Sequence, residues 1–211
     1  MKKILNKLST IAFKLSPHLA VRLGLEFPRK SRNRIFLENT IFQYINQCFG
    51  TLNPRGACLF IGTDKRAWHY PKKLDLVLHT LDIEKKKAIY GNAQHHIVGS
   101  ATELGRYYDP ESFDVIIANG LIGFGMNLPE QCDQLLEGAC ALLKADGLLV
   151  LGYNDGPDFV NFKVKDSANY TLFAEHEPNI PGLIGSTFEF GNHTYVFLKK
   201  HSARHTLSQS G

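Results

Sequence analysis

The sequence predicts an α/β protein with a doubly wound, mainly parallel sheet, preceded by a helical N-terminal extension. Four short apolar runs each end on a glycine or a polar residue, which is typical of strands buried on both faces of a parallel sheet. Helical patterns lie between these runs, and alternating strands and helices favour this fold class. The four runs cover residues 57–61, 76–81, 113–118 and 148–151.

The ends of these strands predict where a ligand binds. Gly62, Asp82 and Asn119 follow directly after three of the runs. In open α/β sheets, ligands bind beyond the carboxyl ends of the parallel strands. We therefore expect these three residues to meet in one crevice.

Further patterns predict the remaining elements, and the helix over 128–144 is the best defined helix among them. A helix over 128–144 has one apolar face, with Asn127 and Glu130 spaced as a capping pair and Gly147 after its end. Pro71 shortens the first crossover connection, so its helix is expected to be very small. Further helices are predicted over 4–15, from Ser16-Pro17 onward, over 35–49 and over 85–90, and further strands over 95–98, 170–175 and 194–198, with a long loop around 178–185 between the last two strands.

Length and composition favour one catalytic-type domain with an appendage. With 211 residues, 44% of them hydrophobic, the chain can bury a full core. We predict a basic helical extension over 1–34, an α/β domain over 35–200 and a disordered tail over 201–211. The four cysteines form no CxxC pair and no export signal is evident, which together predict a cytoplasmic protein.

The N-terminal extension has two interpretations. Ile4, Leu8, Ile11 and Leu15 lie on one helical face, with lysines beside it. These helices could simply pack on the domain, or they could make a weak peripheral contact with anionic lipid, or with an acidic partner, on the inner membrane face. The sequence leaves both open and does not predict an oligomeric state.

Asp82 is the strongest candidate for a ligand-binding side chain. It stands twenty positions after Gly62, the spacing at which a carboxylate ending the second strand reaches the ribose hydroxyls of a nucleoside. An ionised carboxylate accepts both hydroxyl hydrogen bonds. The alternative is that Asp82 only caps the helical turn beginning near Glu84.

The turn after the first strand argues against phosphate-bearing cofactors. Thr63, Asp64, Lys65 and Arg66 follow Gly62, so the second and third glycines of a dinucleotide-binding loop are missing. A nicotinamide-dependent reductase is therefore disfavoured. A nucleoside ligand without phosphates remains compatible, with its amino-acid carboxylate met by Lys65 or Arg66, unless these are only solvated surface charges.

Five motifs follow one another along the chain. They are LFIGT (59–63), LDIE (81–84), VGSATEL (98–104), FDVIIANG (113–120) and ALLKADGLLVL (141–151). In this order they resemble the motifs of the class I S-adenosylmethionine-dependent methyltransferases. The similarity covers most of residues 57–152 and implies a Rossmann-like methyltransferase fold with S-adenosylmethionine as cofactor. The first motif departs from the family pattern, because Phe60 replaces an acidic residue and Asp64 and Arg66 replace glycines.

The resemblance implies a role for each cofactor-binding position. Gly62 and Thr63 would contact the methionine part, Asp82 the ribose and Ile83 the adenine. Ser100 and Ala101 would contact the adenine edge, with Ser100 in place of a common Asp. Asn119 and Gly120 would meet the methionine part and the substrate. A non-catalytic methyltransferase-like binding protein or subunit is the alternative to an enzyme.

The catalytic group is not determined by these motifs. His69, Tyr70 and Asp155 lie near strand ends and are candidates to remove a proton from the acceptor, although each is equally compatible with packing or turn formation. An apolar loop over 121–126, and a second over 178–185, predict a small-molecule, sugar or lipid-linked acceptor rather than nucleic acid. No metal site is predicted, because neighbouring His95 and His96 point to opposite faces of a strand.

Overall fold

The computed structural model of the protein describes residues 2–28 and 31–201, with the side chains of the first helix described from residue 6 onward. Except for His201, the predicted disordered tail lies outside the described residues. The side chains of Lys3 and Ile4, which belong to the predicted lipid-facing stripe, also lie outside them. The statements that follow concern the described part of the chain.

The secondary structure alternates as the sequence predicts. Five α-helices and eight strands are joined by short 3₁₀ turns. The helices are α1 (Lys2–Leu15), α2 (Pro17–Arg22), α3 (Arg32–Phe36), α4 (Phe42–Phe49) and α5 (Pro129–Leu142). The strands are β1 (Ala57–Ile61), β2 (Val77–Asp82), β3 (His96–Val98), β4 (Phe113–Asn119), β5 (Leu143–Tyr153), β6 (Phe173–Glu175), β7 (Thr187–Phe190) and β8 (His193–Lys200).

All eight strands form one sheet, in the order β3-β2-β1-β4-β5-β8-β6, with β7 also pairing with β8. The first five strands in this order are parallel to one another. Strand β8 runs antiparallel to β5, and β6 and β7 run antiparallel to β8. This confirms the predicted doubly wound, mainly parallel sheet, and places its topological switch point between β1 and β4.

Both faces of the sheet are buried because successive side chains of a strand point to opposite faces. On β1, Leu59 and Ile61 join the cluster that packs under α5. Cys58 and Phe60 join the cluster on the other face, under α3 and α4. The continuous apolar runs of the sequence follow from this two-sided burial.

A single helical unit covers the second face. A π-helical segment, Leu37–Ile41, joins α3 to α4, so the helix extends from Arg32 to Phe49. The predicted domain boundary at residue 34 therefore falls inside its first turn. The division of the chain into extension and domain stays a prediction.

A small third cluster fastens the N-terminal helices to the domain. Phe13, Ala20 and Phe27 are buried together, with Trp68 and Tyr90 packed against them. The rings of Phe13 and Phe27 meet edge to face, with centroids 5.5 Å apart. Since Trp68 follows β1 and Tyr90 follows β2, the N-terminal segment lies against the loops beyond the carboxyl ends of these strands.

The prediction of a strand over 170–175 is only partly right. Residues Ala168–Leu172 form a 3₁₀ turn, and the strand is confined to β6. Asp133 of α5 accepts a hydrogen bond from the hydroxyl of Ser167 and another, 3.2 Å long, from the backbone N–H of Asn169. These tertiary hydrogen bonds stabilise the 3₁₀ turn, although the alternating sequence pattern predicts a strand. Strand β7 was not predicted.

The predicted ends of the long helix are also corrected. The side chain of Gln131, instead of the Asn127 and Glu130 pair, satisfies the helix start, since its Oε1 accepts from the N–H groups of Asn127 (2.9 Å) and Leu128 (3.2 Å). The helix ends at Leu142 instead of 144, because Leu143 already pairs with Phe113 of β4.

Candidate functional site

A cavity of about 500 Å³ opens beyond the carboxyl ends of β1, β2 and β4. It lies at the switch point of the sheet, where open α/β sheets bind ligands. Its size falls in the range of ordinary small-molecule sites. All eight positions predicted to bind a cofactor line it, namely Gly62, Thr63, Asp82, Ile83, Ser100, Ala101, Asn119 and Gly120.

Gly62 lets the first strand end close to the fourth. Its φ of +91° lies in a region that side chains with a Cβ rarely adopt. A Cβ on this residue would lie 2.7 Å from the backbone oxygen of Asn119, too close for any real contact. Glycine is therefore required at this position for two reasons. It can adopt the positive φ, and it leaves the space that a side chain would take up at the cavity floor between β1 and β4.

Asp82 is buried at the end of β2, with only 4% of its surface exposed. Its Oδ1 accepts a hydrogen bond of 2.9 Å from the N–H of Glu84, so it does cap the following turn. Its Oδ2 lies 3.4 Å from the hydroxyl of Thr63 and 3.7 Å from Nζ of Lys87. Oδ1 therefore caps the local turn, while Oδ2 contacts two side chains that line the cavity.

The turn after Gly62 is held by side chains instead of by glycines. Asp64 accepts hydrogen bonds from the backbone N–H of Arg66 (2.7 Å) and from its guanidinium (2.9 Å). Arg66 lines the cavity as expected. Lys65 does not belong to the cavity wall, because its Nζ lies over the ring of Phe27, 4.2 Å from the centroid.

Arg34 is a cavity residue that the sequence did not single out. It reaches the site from α3, with 12% of its side chain exposed. One of its amino groups donates to the hydroxyl of Tyr70 (2.6 Å), and the other lies 3.4 Å from Asp64. Burial alone lowers the pKa of this guanidinium, but Tyr70 and Asp64 more than offset burial, so its pKa is raised and it stays charged.

A buried histidine, also missed from the sequence, lies in the cavity wall. His193, at the start of β8, lines the cavity and is 6% exposed. Its Nδ1 lies 2.8 Å from Oδ1 of Asn154, an acceptor, so the proton of a neutral ring sits on Nδ1. Its Nε2 has no hydrogen-bond partner among the described residues.

The charge state of His193 follows from its surroundings. Burial, and then the positive charge of Arg34, lower the pKa of His193 to about 4. The ring is therefore neutral at pH 7, with a free lone pair on Nε2. Such a nitrogen can accept a hydrogen bond or a proton from a bound molecule.

Asn119 completes this wall. Its Oδ1 is buried without a partner in the described residues. The amide occupies space left open by Gly152, whose Cβ would lie 2.4 Å from that oxygen and 2.7 Å from the ring of Tyr195. Asn119 and His193 both line the cavity, and each has a buried acceptor atom without a partner in the described residues, which indicates a place where a ligand supplies the missing donors.

We expect the buried neutral state of His193 to make the protein less stable in acid. A folded-state pKa of about 4 lies below the value of about 6.5 for an unfolded histidine, so the unfolded chain binds the extra proton first. This contribution is complete above pH 6.5 and is lost as the pH falls towards 4. Between pH 7 and pH 5 it removes about 2 kcal/mol from the free energy of unfolding.

Urea unfolding of the parent protein and of His193→Gln at both pH values measures this contribution. The variant should lose less stability on acidification, while all other titrating groups are common to both proteins. An equal loss in the two proteins would show that His193 is not held neutral by the fold.

The three candidate catalytic residues lie outside the cavity wall. His69 is buried behind it, with Nε2 3.3 Å from Glu38 and 3.7 Å from Glu26. Tyr70 is fully buried, with its ring packed on Phe42 and Phe60. The 3₁₀ turn at Tyr70–Lys72 directs both side chains into the core under α3 and α4, which the sequence of a loop does not reveal.

Asp155 has a structural contact instead of a place in the cavity. Its carboxylate accepts a hydrogen bond of 3.2 Å from the N–H of Val164, nine positions further along the chain, and the turn-forming interpretation stays a prediction. The loop over 121–126 lines the cavity through Leu121, Phe124 and Met126, as predicted. The loop over 178–185 contributes no lining residue, so this prediction is wrong.

Comparisons with known proteins relate this fold to others. No protein-family model and no curated protein sequence matches the chain. Among solved structures, the TehB-like SAM-dependent methyltransferase from Corynebacterium glutamicum is 17% identical, with a TM-score of 0.55 over 81% of this chain and 95% of that one.

Two further solved structures share the fold of this chain. The PH0226 protein from Pyrococcus horikoshii is 16% identical, with a TM-score of 0.57 over 81% of this chain and 91% of that one. The N-methyltransferase NodS from Bradyrhizobium japonicum is 13% identical, with a TM-score of 0.52 over 79% of this chain and all of that one. At such identities the similarity establishes the fold, which is that of the class I methyltransferases.

Proposed function

We propose that this chain, which has the class I methyltransferase fold, is an S-adenosylmethionine-dependent methyltransferase acting on a small-molecule, sugar or lipid-linked acceptor. One observation carries the proposal. The cavity at the switch point is lined by residues of four of the five motifs, and Asp82 lies buried at the position from which a carboxylate binds a ribose. The named neighbours in the same fold include a SAM-dependent methyltransferase and an N-methyltransferase.

The lining residues suit a nucleoside that carries an amino acid and no phosphate. Asp82 would accept hydrogen bonds from the ribose hydroxyls, after displacing Lys87 from its 3.7 Å contact. Ile83, which is exposed, would lie against the adenine, with Ser100 and Ala101 at its edge. The chain offers no glycine-rich loop for a pyrophosphate, because Asp64 and its two arginines fill that turn.

Arg34 and Arg66 are the cations available for the amino-acid carboxylate. Both line the cavity, and both already share Asp64 as a partner. A carboxylate from the cofactor would add a second anion between two guanidinium groups, which suits the planar donors of arginine. Arg66 is one of the two cations that the sequence predicts for this role, whereas the other, Lys65, has its Nζ over the ring of Phe27.

When bound, S-adenosylmethionine would supply an activated methyl group, so the protein mainly has to orient the acceptor and accept its proton. We assign proton acceptance to Nε2 of His193. Asn154 fixes the ring through Nδ1, so the lone pair on Nε2 stays available. The side-chain oxygen of Asn119 would accept a hydrogen bond from the same molecule that receives the methyl group. This favours an alcohol or an amine as the methyl acceptor.

The size and chemistry of the acceptor follow from the rest of this wall. Leu121, Phe124 and Met126 provide an apolar surface beside the polar groups of His193 and Asn119. A modest or partly apolar acceptor fits such a wall. Nucleic-acid binding needs several aromatic side chains interleaved with the basic ones, whereas Phe124 is the one Phe, Tyr or Trp among the described residues that line the cavity.

Calorimetric titration with S-adenosylhomocysteine tests the proposal, with NAD as the matched control ligand. We expect saturable binding of the first and none of the second. The absence of S-adenosylhomocysteine binding by folded protein would contradict the proposal. A screen of hydroxyl- and amine-bearing metabolites, read out by release of S-adenosylhomocysteine, then separates an enzyme from a non-catalytic binding protein that holds the cofactor without turnover.

A further inference from the structure

The first two helices expose an apolar face that no described residue covers. Five large aliphatic side chains within sixteen residues are between 43% and 81% exposed. They make up five of the twelve large apolar side chains that are exposed in the described part of the chain. The five are Leu8, Ile11, Leu15, Leu19 and Leu23.

Packing on the domain uses a different face of these helices. On α1, Ser9 and Phe13 are the buried residues, and the hydroxyl of Ser9 donates to the backbone oxygen of Glu26. On α2, Ala20 is the buried residue. None of the five aliphatic side chains belongs to the described cluster that packs α1 and α2 on the protein, and their exposure costs free energy in water.

The charge of this segment has a single sign. No aspartate or glutamate occurs before Glu26, whereas the same stretch contains five lysines and arginines, at positions 2, 3, 7, 14 and 22. Of these, Lys7, Lys14 and Arg22 are exposed on α1 and α2. An apolar helical face with adjacent cations and no anions is complementary to a negatively charged lipid surface.

We infer that the exposed face of α1 and α2 binds the surface of an anionic lipid bilayer. None of the described helices is long and apolar enough to cross a membrane, and α1 has 14 residues, so the contact is an interfacial one. The leucine and isoleucine side chains enter the boundary between headgroups and acyl chains. Lys7, Lys14 and Arg22 pair with the anionic headgroups. The inference stands on this surface alone and does not depend on what the cavity binds.

The membrane face is connected to the cavity by a short path. Phe27 lies five positions after the last residue of α2, and its ring lies under Nζ of Lys65 (4.2 Å) and the guanidinium of Arg66 (5.2 Å). Both cations belong to the turn after β1, and Arg66 lines the cavity. The segment that follows α2 therefore packs against a turn that lines the cavity, which favours an acceptor carried by a lipid.

Cosedimentation of the full chain with vesicles tests this inference. We expect the protein to partition onto vesicles of phosphatidylglycerol and phosphatidylcholine, to bind pure phosphatidylcholine at least tenfold more weakly, and to be released by 0.5 M salt. The salt effect follows because exposed charges are screened within a few ångströms at that ionic strength.

Two sets of variants assign the binding to this face. Replacing Lys7, Lys14 and Arg22 together by Gln should weaken partitioning by about 100-fold, since each cation near an anionic surface contributes about fivefold. Replacing Leu15 and Leu19 by Ser should also weaken it, because both side chains are already solvent-exposed and their loss leaves the core intact.

Matched variants elsewhere control for net charge and surface apolarity. Gln at Lys85, Lys86 and Lys163, which are exposed, removes the same charge, and Ser at Leu52 and Ile184 removes exposed apolar side chains. Both control proteins should bind vesicles like the parent. Equal binding to neutral and anionic vesicles, or equal loss in the control variants, would overturn the inference. Concentration-dependent dimerisation without vesicle binding would assign the face to a second copy of the chain instead.

Discussion

The Asp82→Ala variant is expected to bind S-adenosylhomocysteine about 30- to 150-fold more weakly than the parent protein, a loss of about 2 to 3 kcal/mol. The reason is the loss of charge-assisted hydrogen bonds from a buried carboxylate to the two ribose hydroxyls. Asp82 is 4% exposed, so water cannot readily replace it. Isothermal titration calorimetry of both proteins measures the change.

A second variant separates ligand binding from local structure. Asp82→Asn keeps an oxygen that can accept from the N–H of Glu84 and so preserves the cap, but it removes the charge. We expect its unfolding temperature to match that of the parent and its affinity to fall. Unchanged affinity in both variants would leave Asp82 with only its capping role.

The largest expected effect on turnover comes from His193. We expect His193→Gln to lower kcat by about 10²- to 10⁴-fold with the acceptor identified in the metabolite screen, because it removes the group that takes up the acceptor's proton. Glutamine can still donate to Asn154 and fill much of the space. The affinity for S-adenosylhomocysteine should therefore stay within about twofold of that of the parent, in line with substitutions that spare the binding contacts.

His176→Gln is the matched control for this substitution. His176 is also a histidine whose pKa is lowered by burial and then by Lys199, but it lies outside the cavity wall, with Nε2 2.7 Å from the hydroxyl of Tyr44. Its substitution should leave kcat unchanged. Equal activity of parent and His193→Gln would remove His193 from the reaction and leave it as a buried neighbour of Asn154.

The half of the cavity that is proposed to bind the cofactor could be predicted from the sequence for a physical reason. A strand buried on both faces must be apolar throughout, so the residue at which the apolar run stops marks the strand's carboxyl end. Parallel strands place these ends on one edge of the sheet. Gly62, Asp82 and Asn119 were located by this rule alone, and the structure brings them into one cavity.

The predictions that failed concern the segments that connect the strands, where no strand pattern fixes the direction of a side chain. His69 and Tyr70 follow the first strand in the sequence, but direction in a short irregular turn depends on the packing it meets. Both side chains are drawn into the core, where Tyr70 packs against Phe42 of α4. The strand pattern at 170–172 was likewise overridden by hydrogen bonds to Asp133, a residue more than thirty positions away.

The fold class, the strand ends and the basic, apolar character of the N-terminal segment were thus determined by the sequence itself, because each depends on local pattern. The other wall of the cavity was decided only by the tertiary structure. Arg34 comes from a helix near the start of the chain and His193 from the antiparallel strand near its end, where the pairing of Gly152 with Tyr195 brings His193 beside Asn154. No local pattern encodes that register, because it is fixed by long-range strand pairing and by the packing of α3 on the sheet.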